Sequence, residues 1–115
     1  MANFEEVQMF IRTIELTLKP NMKPEFFKKF RAEAIPILKK AHGFFDIIVL
    51  EHDTDWNKLF FVSFWEMKKD AELYEREWYP KVKAIIEPFF VVPPLVAYWK
   101  PEETFSERLF NKVMV

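Results

Sequence analysis

The sequence predicts an α+β domain with the element order β-α-β-β-α-β. Three patterns support this order: strand-like segments at residues 7–18 and 58–65 that are apolar on both faces, two long segments with the apolar period of a helix, and turn residues between them. Successive side chains of a strand point to opposite faces, so both faces of these strands need cover. Two helices cover one face of so small a sheet, and we therefore expect a second copy of the chain to cover the other.

The first helix is predicted over residues 24–41. Pro24 suits a first helical turn, because the N–H that proline lacks has no partner there. An apolar stripe at helical spacing follows, with Phe26, Phe30, Ala34, Ile37, Leu38 and Ala41. Pro36 removes one hydrogen bond within this stripe, so we expect a kink. Gly43, the only glycine of the chain, fits a left-handed position at the end of the helix.

A hairpin comes next. Residues 45–51 are β-branched and apolar, and a polar turn at 53–57 joins them to the strand at 58–65. The helical period returns from Lys68, and Pro80 is expected to divide this second helix or to begin its second half.

The last strand is predicted at residues 95–99, because the prolines at 93–94 bar a helix there. In the following tail, Thr104 and Glu107 have the spacing of a capping box ahead of an apolar stripe. This tail is expected to be a short helix that packs on a partner.

The complete order is the split βαβ pattern of a ferredoxin-like fold. Right-handed crossovers give an antiparallel sheet with strand order 4-1-3-2, in which the two strands that are apolar on both faces are central. No repeat or linker divides the chain, so one domain is expected over residues 1–115, with its core at about 7–100 and its tail at about 101–115.

Composition excludes several classes of function. The 17 basic and 18 acidic residues leave a net charge of −1, which gives no basic surface for nucleic acid. The absence of cysteine excludes disulfides, thiol nucleophiles and thiolate metal sites. The N-terminal residues lack the pattern of a secretion signal and no apolar stretch is long enough to cross a membrane, so a cytoplasmic protein without membrane contact is expected.

Arg12 is the first candidate functional residue. It lies on the same predicted strand face as Phe10 and Ile14, where a guanidinium needs a partner or a wet pocket. Facing the helices, it could hold a phenolate, a carboxylate or an oxyanion by charge-assisted hydrogen bonds. The structural alternative is an ion pair inside the dimer with Glu15 or Asp46.

Aromatic residues supply the second candidate group. Trp65, Tyr74 and Trp78 could form a wall for a planar ligand, with the indole N–H and the phenol O–H as orienting donors. An aromatic stripe at helical spacing is also typical of an ordinary core, and that alternative stays open. The remaining candidates for lining the pocket are Phe10, Ile14 and Phe61.

The two histidines favour structural roles. His42 adjoins a helix C-terminus, where the helix dipole favours a partly charged imidazole. His52 lies beside Asp53 and Asp55 but lacks the spacing of a known metal motif, and turn aspartates usually bond the backbone. With a single glycine the chain cannot form a phosphate-binding glycine loop or a dinucleotide fingerprint. No metal and no cofactor is therefore expected.

Three segments resemble the antibiotic biosynthesis monooxygenase superfamily of dimeric α+β barrels. They are ELTLKP at residues 15–20, AHGF at 41–44 and FVSFWEMKKDA at 61–71. The resemblance implies a homodimer whose sheets pack face to face, with a pocket between the sheet and the helices of each subunit. The superfamily includes cofactor-independent oxygenases of quinols and polyketide phenols. Its heme-degrading members use an asparagine, a tryptophan and a histidine where this chain has Ile14, Tyr74 and Ala84.

The resemblance implies a cofactor-independent monooxygenase of a small phenol or hydroquinone, in which Arg12 stabilises the substrate anion while Trp65 and Tyr74 position it. No residue is predicted as the base. The alternative is a non-catalytic dimeric module that binds a small aromatic or apolar molecule or serves in assembly. An oxygenase needs donors and a base beside an open cavity, whereas the module would have Arg12 in an ion pair and a filled interior. A third possibility, an isomerase or decarboxylase, requires His52 or Asp46 in the pocket.

Overall fold

Four antiparallel strands form one sheet in the computed structural model, which describes residues 9–102. Their bounds are β1 Phe10–Thr17, β2 Phe44–Glu51, β3 Lys58–Trp65 and β4 Leu95–Trp99. The strand order is β2-β3-β1-β4, which is the predicted order 4-1-3-2 counted from the opposite edge. The ferredoxin-like α+β fold is thus confirmed, and the sheet is open within the chain. The predicted strand residues before Met9 and the capping box in the tail lie outside the described residues.

Helical segments pack on one side of the sheet. They are α1 Lys23–Lys29, a π-helical turn Phe30–Ala34, α2 Ile35–Lys40, α3 Lys68–Glu77, α4 Tyr79–Ile86 and a 3-10 turn Glu87–Phe89. The predicted irregularity at Pro36 takes the form of the wide π-helical turn before it, because proline cannot donate the regular hydrogen bond. Pro80 lies in the first turn of α4, so it begins the second half of the divided helix, as expected.

The two faces of the sheet have different surroundings. In β3, Leu59, Phe61, Ser63 and Trp65 are buried beneath the helices. The alternate residues Phe60, Val62 and Phe64 point the other way and are half-buried. Large apolar side chains extend this second face, since Ile48, Leu50, Leu95 and Trp99 are 46%, 48%, 66% and 54% exposed. No element within residues 9–102 covers this face, which we call the open sheet face.

Gly43 turns the chain from α2 into β2 and has a φ of 80°, which confirms the predicted left-handed position. Its carbonyl accepts a hydrogen bond from the N–H of Glu66 at 2.8 Å. Asp70, in the first turn of α3, is buried directly beside it and bonds Nδ1 of the exposed His42 at 2.9 Å. The glycine therefore allows the start of α3 to approach the end of α2 closely.

Candidate functional site

Arg12 is buried on the helix side of β1, with only 4% of its surface exposed. Its Nε donates to Oε1 of Glu75 on α3 at 2.7 Å, across 63 residues of sequence. The expectation that Glu15 or Asp46 would pair with Arg12 is wrong, because strand alternation places both carboxylates on the open sheet face. The buried guanidinium is instead paired by an acid from the helical layer.

Tyr98 extends this ion pair into a hydrogen-bonded chain. Its hydroxyl donates to the same Oε1 of Glu75 at 2.6 Å. Tyr98 lies in β4 directly opposite Arg12 in β1, so the sheet register brings both side chains to one carboxylate. Within residues 9–102, Oε2 of Glu75 forms no hydrogen bond. Among the described residues, the carboxylate of Glu75 therefore keeps one oxygen that accepts no hydrogen bond.

All three tyrosines of the chain surround Arg12. The guanidinium carbon lies 4.3 Å from the ring centre of Tyr79 and 5.2 Å from that of Tyr74, at cation-π distance. Burial raises the pKa of Tyr74 and of Tyr79, while burial and the hydrogen bond to Glu75 raise the pKa of Tyr98 to about 12. The three phenols thus remain protonated near neutral pH, and the hydroxyl of Tyr98 is a donor to Glu75.

The pKa of Arg12 is also raised. Burial alone would lower it, but the hydrogen bond and the charge of Glu75 more than offset that effect. Arg12 is consequently a permanent cation that holds the Glu75 carboxylate in place.

Trp65 is fully buried beside this cluster. Its ring centre lies 4.9 Å from that of Tyr74, and its indole N–H donates to the hydroxyl of Ser63 at 2.9 Å. That hydroxyl in turn donates to the carbonyl of Arg12 at 3.1 Å. Because its only donor is already used inside the protein, Trp65 supports the central strands and Tyr74.

The space around Arg12, between the centre of the sheet and the helices, is nearly filled. A cavity of about 20 Å³ remains, lined by Arg12, Ile14, Phe61, Tyr74 and Tyr79 among others. This volume corresponds to about one water molecule, so no aromatic ring fits. Nη2 of Arg12 and the hydroxyl of Tyr79 are buried without a hydrogen-bond partner in the described part of the chain.

A larger groove of about 920 Å³ opens on the other side of Glu75. It lies between α3, the start of β1 and the end of β4. Apolar surfaces of Phe10, Met67 and Trp99 line it, together with Tyr98 and charged residues of α3. The Phe10 and Tyr98 rings stack with their centres 5.9 Å apart. The groove thus combines apolar walls with a carboxylate whose position is fixed by Arg12.

The structure divides the predicted site residues between several places. Phe10 lines the groove, and Arg12, Ile14, Phe61 and Tyr74 surround the small internal cavity. Trp65 packs in the core, whereas Trp78 lines neither space and lies beside the ammonium of Lys81 at 5.4 Å. The predicted aromatic wall of three residues is therefore reduced to the contact between Trp65 and Tyr74.

Glu75 is the functional candidate that the sequence analysis missed. A signal for it exists, because Glu75 follows the buried Ala71 by four residues and precedes the buried Tyr79 by four. Residues four apart share one helix face, so this glutamate borders the apolar stripe. A buried arginine on the facing strand needs such an acid.

The histidines stand apart from both spaces. Nδ1 of His52 accepts hydrogen bonds from the backbone N–H groups of Thr54 and Asp55, which fixes the turn before β3. Neither His52 nor Asp46 lines the groove or the internal cavity, so the isomerase or decarboxylase possibility lacks the residue it requires. Residues 9–102 contain no group of three or more histidine, aspartate or glutamate side chains arranged to hold a metal ion.

Comparison with known proteins gives matches in structure alone. No protein-family model matches the sequence, and no curated protein matches it. A protein of Bordetella bronchiseptica named as a candidate antibiotic biosynthesis monooxygenase has a TM-score of 0.71 at 16% identity, covering 82% of this chain and 97% of its own. A conserved protein of Methanosarcina mazei has a TM-score of 0.72 at 12% identity, covering 86% and 98%.

A monooxygenase of Streptomyces coelicolor, solved in complex with nanaomycin D, is also similar. Its TM-score is 0.70 at 12% identity, covering 87% of this chain and 92% of its own. The class that the fold defines is a ferredoxin-like α+β domain with helices on one side of its sheet. More narrowly, the chain has the fold of the antibiotic biosynthesis monooxygenases. None of the helices in residues 9–102 is long and apolar enough to cross a membrane.

Proposed function

We propose that this protein is a cofactor-independent monooxygenase that oxidises a small phenol or hydroquinone bound in the groove beside Glu75. The observation that carries the proposal is the chain of hydrogen bonds from Arg12 through Glu75 to Tyr98, which ends at the open groove. It supplies the proton acceptor that the sequence analysis lacked. Glu75 has a free oxygen for a substrate hydroxyl, and the apolar walls suit an aromatic ring.

The roles of the residues follow from their positions. Glu75 accepts the proton of the substrate hydroxyl. Tyr98, whose raised pKa keeps it protonated, donates to Glu75 in the resting site. Once Glu75 is neutral, the Tyr98 hydroxyl turns to donate to the resulting phenolate instead. Arg12 does not line the groove. Arg12 is therefore proposed as a positioning residue that orients Glu75. This differs from the expected role, in which Arg12 itself stabilised the substrate anion.

The chemistry balances without a further reductant. The phenolate transfers an electron to O₂, and the resulting radical pair combines at a ring carbon that carries hydrogen, ortho or para to the hydroxyl, with the proton held by Glu75 completing a hydroperoxide. That carbon loses its hydrogen as the O–O bond breaks, which releases water and leaves a quinone. A phenol and O₂ thus become a quinone and water, with the phenol as the source of all four electrons. The apolar groove limits the access of water to these intermediates.

Oxygen uptake by the variant Glu75→Gln tests this proposal. Loss of a general base typically lowers turnover by 10²–10⁴-fold, so we expect kcat for 1-naphthol or hydroquinone to fall by about 100-fold or more. Glu72→Gln is the matched control, because Glu72 lines the same groove from the same helix without contacting Arg12. Equal turnover in wild-type protein and Glu75→Gln would contradict the proposal.

A non-catalytic binding module is the second candidate, and one observation favours it. The internal cavity holds about one water molecule and Arg12 is tied in an ion pair, which were the features expected for such a module. In this case aromatic compounds bind in the groove without oxygen uptake. Binding of 1-naphthol that is not followed by any uptake would establish this candidate.

We also propose that the chain forms a homodimer through the open sheet face. Support comes from the four exposed apolar side chains on that face and the half-buried Phe60, Val62 and Phe64 between them. Monomeric proteins rarely leave so large an apolar surface in water. A second copy supplies the matching surface by twofold symmetry.

A further inference from the structure

The Arg12 guanidinium has a second arm that the ion pair with Glu75 does not use. While Nε donates to Glu75, Nη2 is buried and forms no hydrogen bond with any residue between 9 and 102. Arg12 itself is only 4% exposed and lines the small internal cavity. A buried N–H group without a partner lowers the folding equilibrium constant by about tenfold to a hundredfold, so folded proteins nearly always satisfy it.

Two hydroxyl groups line the same cavity. That of Tyr79 is also buried without a partner in the described part of the chain, and its ring centre lies 4.3 Å from the guanidinium carbon. The hydroxyl of Ser63 donates to the carbonyl of Arg12 and accepts from the indole of Trp65, which leaves its oxygen one lone pair. The cavity therefore brings together two buried donors and one position for a further donor.

The size and surroundings of the cavity select its occupant. About 20 Å³ holds one water molecule, and a buried water typically forms about three hydrogen bonds. The remaining wall is largely apolar, with Phe61, Val82 and Ile86 among its residues, and supplies no other acceptor for Nη2. A neutral occupant is favoured over a small anion, because the carboxylate of Glu75 already balances the charge of Arg12.

We propose that this cavity binds one water molecule, which accepts hydrogen bonds from Nη2 of Arg12 and the hydroxyl of Tyr79 and donates one to Ser63. The guanidinium is then held at two places, by Glu75 at Nε and by the water at Nη2. Tyr79 is accordingly a positioning residue, which acts on Glu75 through the water and Arg12. The binding of the water does not depend on the proposed oxygenase function, whereas the effect of Tyr79 on turnover rests on it.

Oxygen-17 magnetic relaxation dispersion tests the site in solution, because it counts long-lived buried waters. Val82 lines the cavity and is 2% exposed, so the methylene group added by Val82→Ile should displace the water and lower the count by one. Val96→Ile is the matched control and should leave the count unchanged, since Val96 packs against the same core without lining the cavity. Equal counts in wild-type protein and Val82→Ile would overturn the proposal.

Xenon and chloride distinguish the other occupants without any substitution. Empty apolar cavities bind xenon, whereas a hydrated polar cavity does not. We therefore expect the methyl NMR signals of Val82 and Ile86 to stay unchanged under xenon pressure. Xenon-dependent shifts of these signals would overturn the proposal in favour of a dry cavity. A shift of the Arg12 Nε–H signal that saturates with added chloride would overturn it in favour of an anion site.

Turnover of Tyr79→Phe tests the positioning role. Without the hydroxyl the water loses one partner and Arg12 holds Glu75 less firmly, so we expect kcat for 1-naphthol to fall by about 10-fold with KM unchanged. The Arg12 Nε–H signal should broaden in the same variant, and Val96→Ile should alter neither quantity. An unchanged kcat in Tyr79→Phe would overturn this role. If wild-type protein takes up no oxygen, the proposed function fails, and the water count alone decides the inference.

Discussion

Replacing Gly43 by alanine should destabilise the folded protein by about 3 kcal/mol or more, from the combined cost of a left-handed non-glycine residue and a steric clash. The φ of Gly43 is 80°, and a Cβ at this position would clash with the carboxylate of Asp70. Asp70 is itself buried and held by α3, so it cannot move away freely. Urea unfolding followed by circular dichroism measures the effect.

Lys40→Ala is the control for this prediction, because Lys40 is exposed at the end of α2, the helix that precedes Gly43. It should change the free energy of unfolding by no more than about 0.5 kcal/mol. Adding Asp70→Ala to Gly43→Ala should recover part of the loss, since it removes the two closest atoms of the clash. A Gly43→Ala protein as stable as wild type would mean that the approach of α2 and α3 is different from the one described.

Introducing a charge at the centre of the open sheet face should dissociate the proposed dimer. Val62 lies between Thr13 of β1 and Ile48 of β2 on that face. A twofold interface would bury two copies of a substituted aspartate, near Glu15 and Asp46 on the same face. We expect Val62→Asp to weaken the dimer by about a thousandfold, because each uncompensated buried charge costs several kcal/mol.

Sedimentation equilibrium measures this dissociation. The aspartate should not unfold the monomer, because Val62 is only half-buried within the chain. Glu33→Lys, an exposed change on the helical layer, is the control and should leave the dimer intact. A wild-type monomer, or a Val62→Asp protein that stays dimeric, would contradict the proposed interface.

The fold was predictable from this sequence because its signals are local and periodic. Period-two alternation in residues 58–65 separates Phe61 and Trp65 from Phe60 and Val62, and the burial of β3 follows that division. The single glycine marks the end of the first helix, and right-handed crossovers restrict the strand order. These rules need no knowledge of which side chains meet across the sheet.

The site was less predictable because it depends on long-range pairing. Arg12 could be identified as a buried charge in need of a partner, and strand alternation places Glu15, three residues away, on the opposite face. The face of Asp46 depends on the strand register, which only the structure gives. Glu75 is 63 residues away from Arg12 and becomes its neighbour only when α3 packs on β1. The groove is harder to predict from sequence than the ion pair. It forms where the ends of two strands and a helix diverge, and no periodic pattern in the sequence reports such a space.

Isotope labelling of the product tests the central claim most directly. Purified protein is supplied with oxygen-18 gas and a phenol such as 1-naphthol, and the product is examined by mass spectrometry. The proposal predicts a quinone that carries one labelled oxygen atom, with the second atom in water, and loss of this product in Glu75→Gln. A product without label, or consumption of oxygen that yields only hydrogen peroxide, would contradict monooxygenation in the groove beside Glu75.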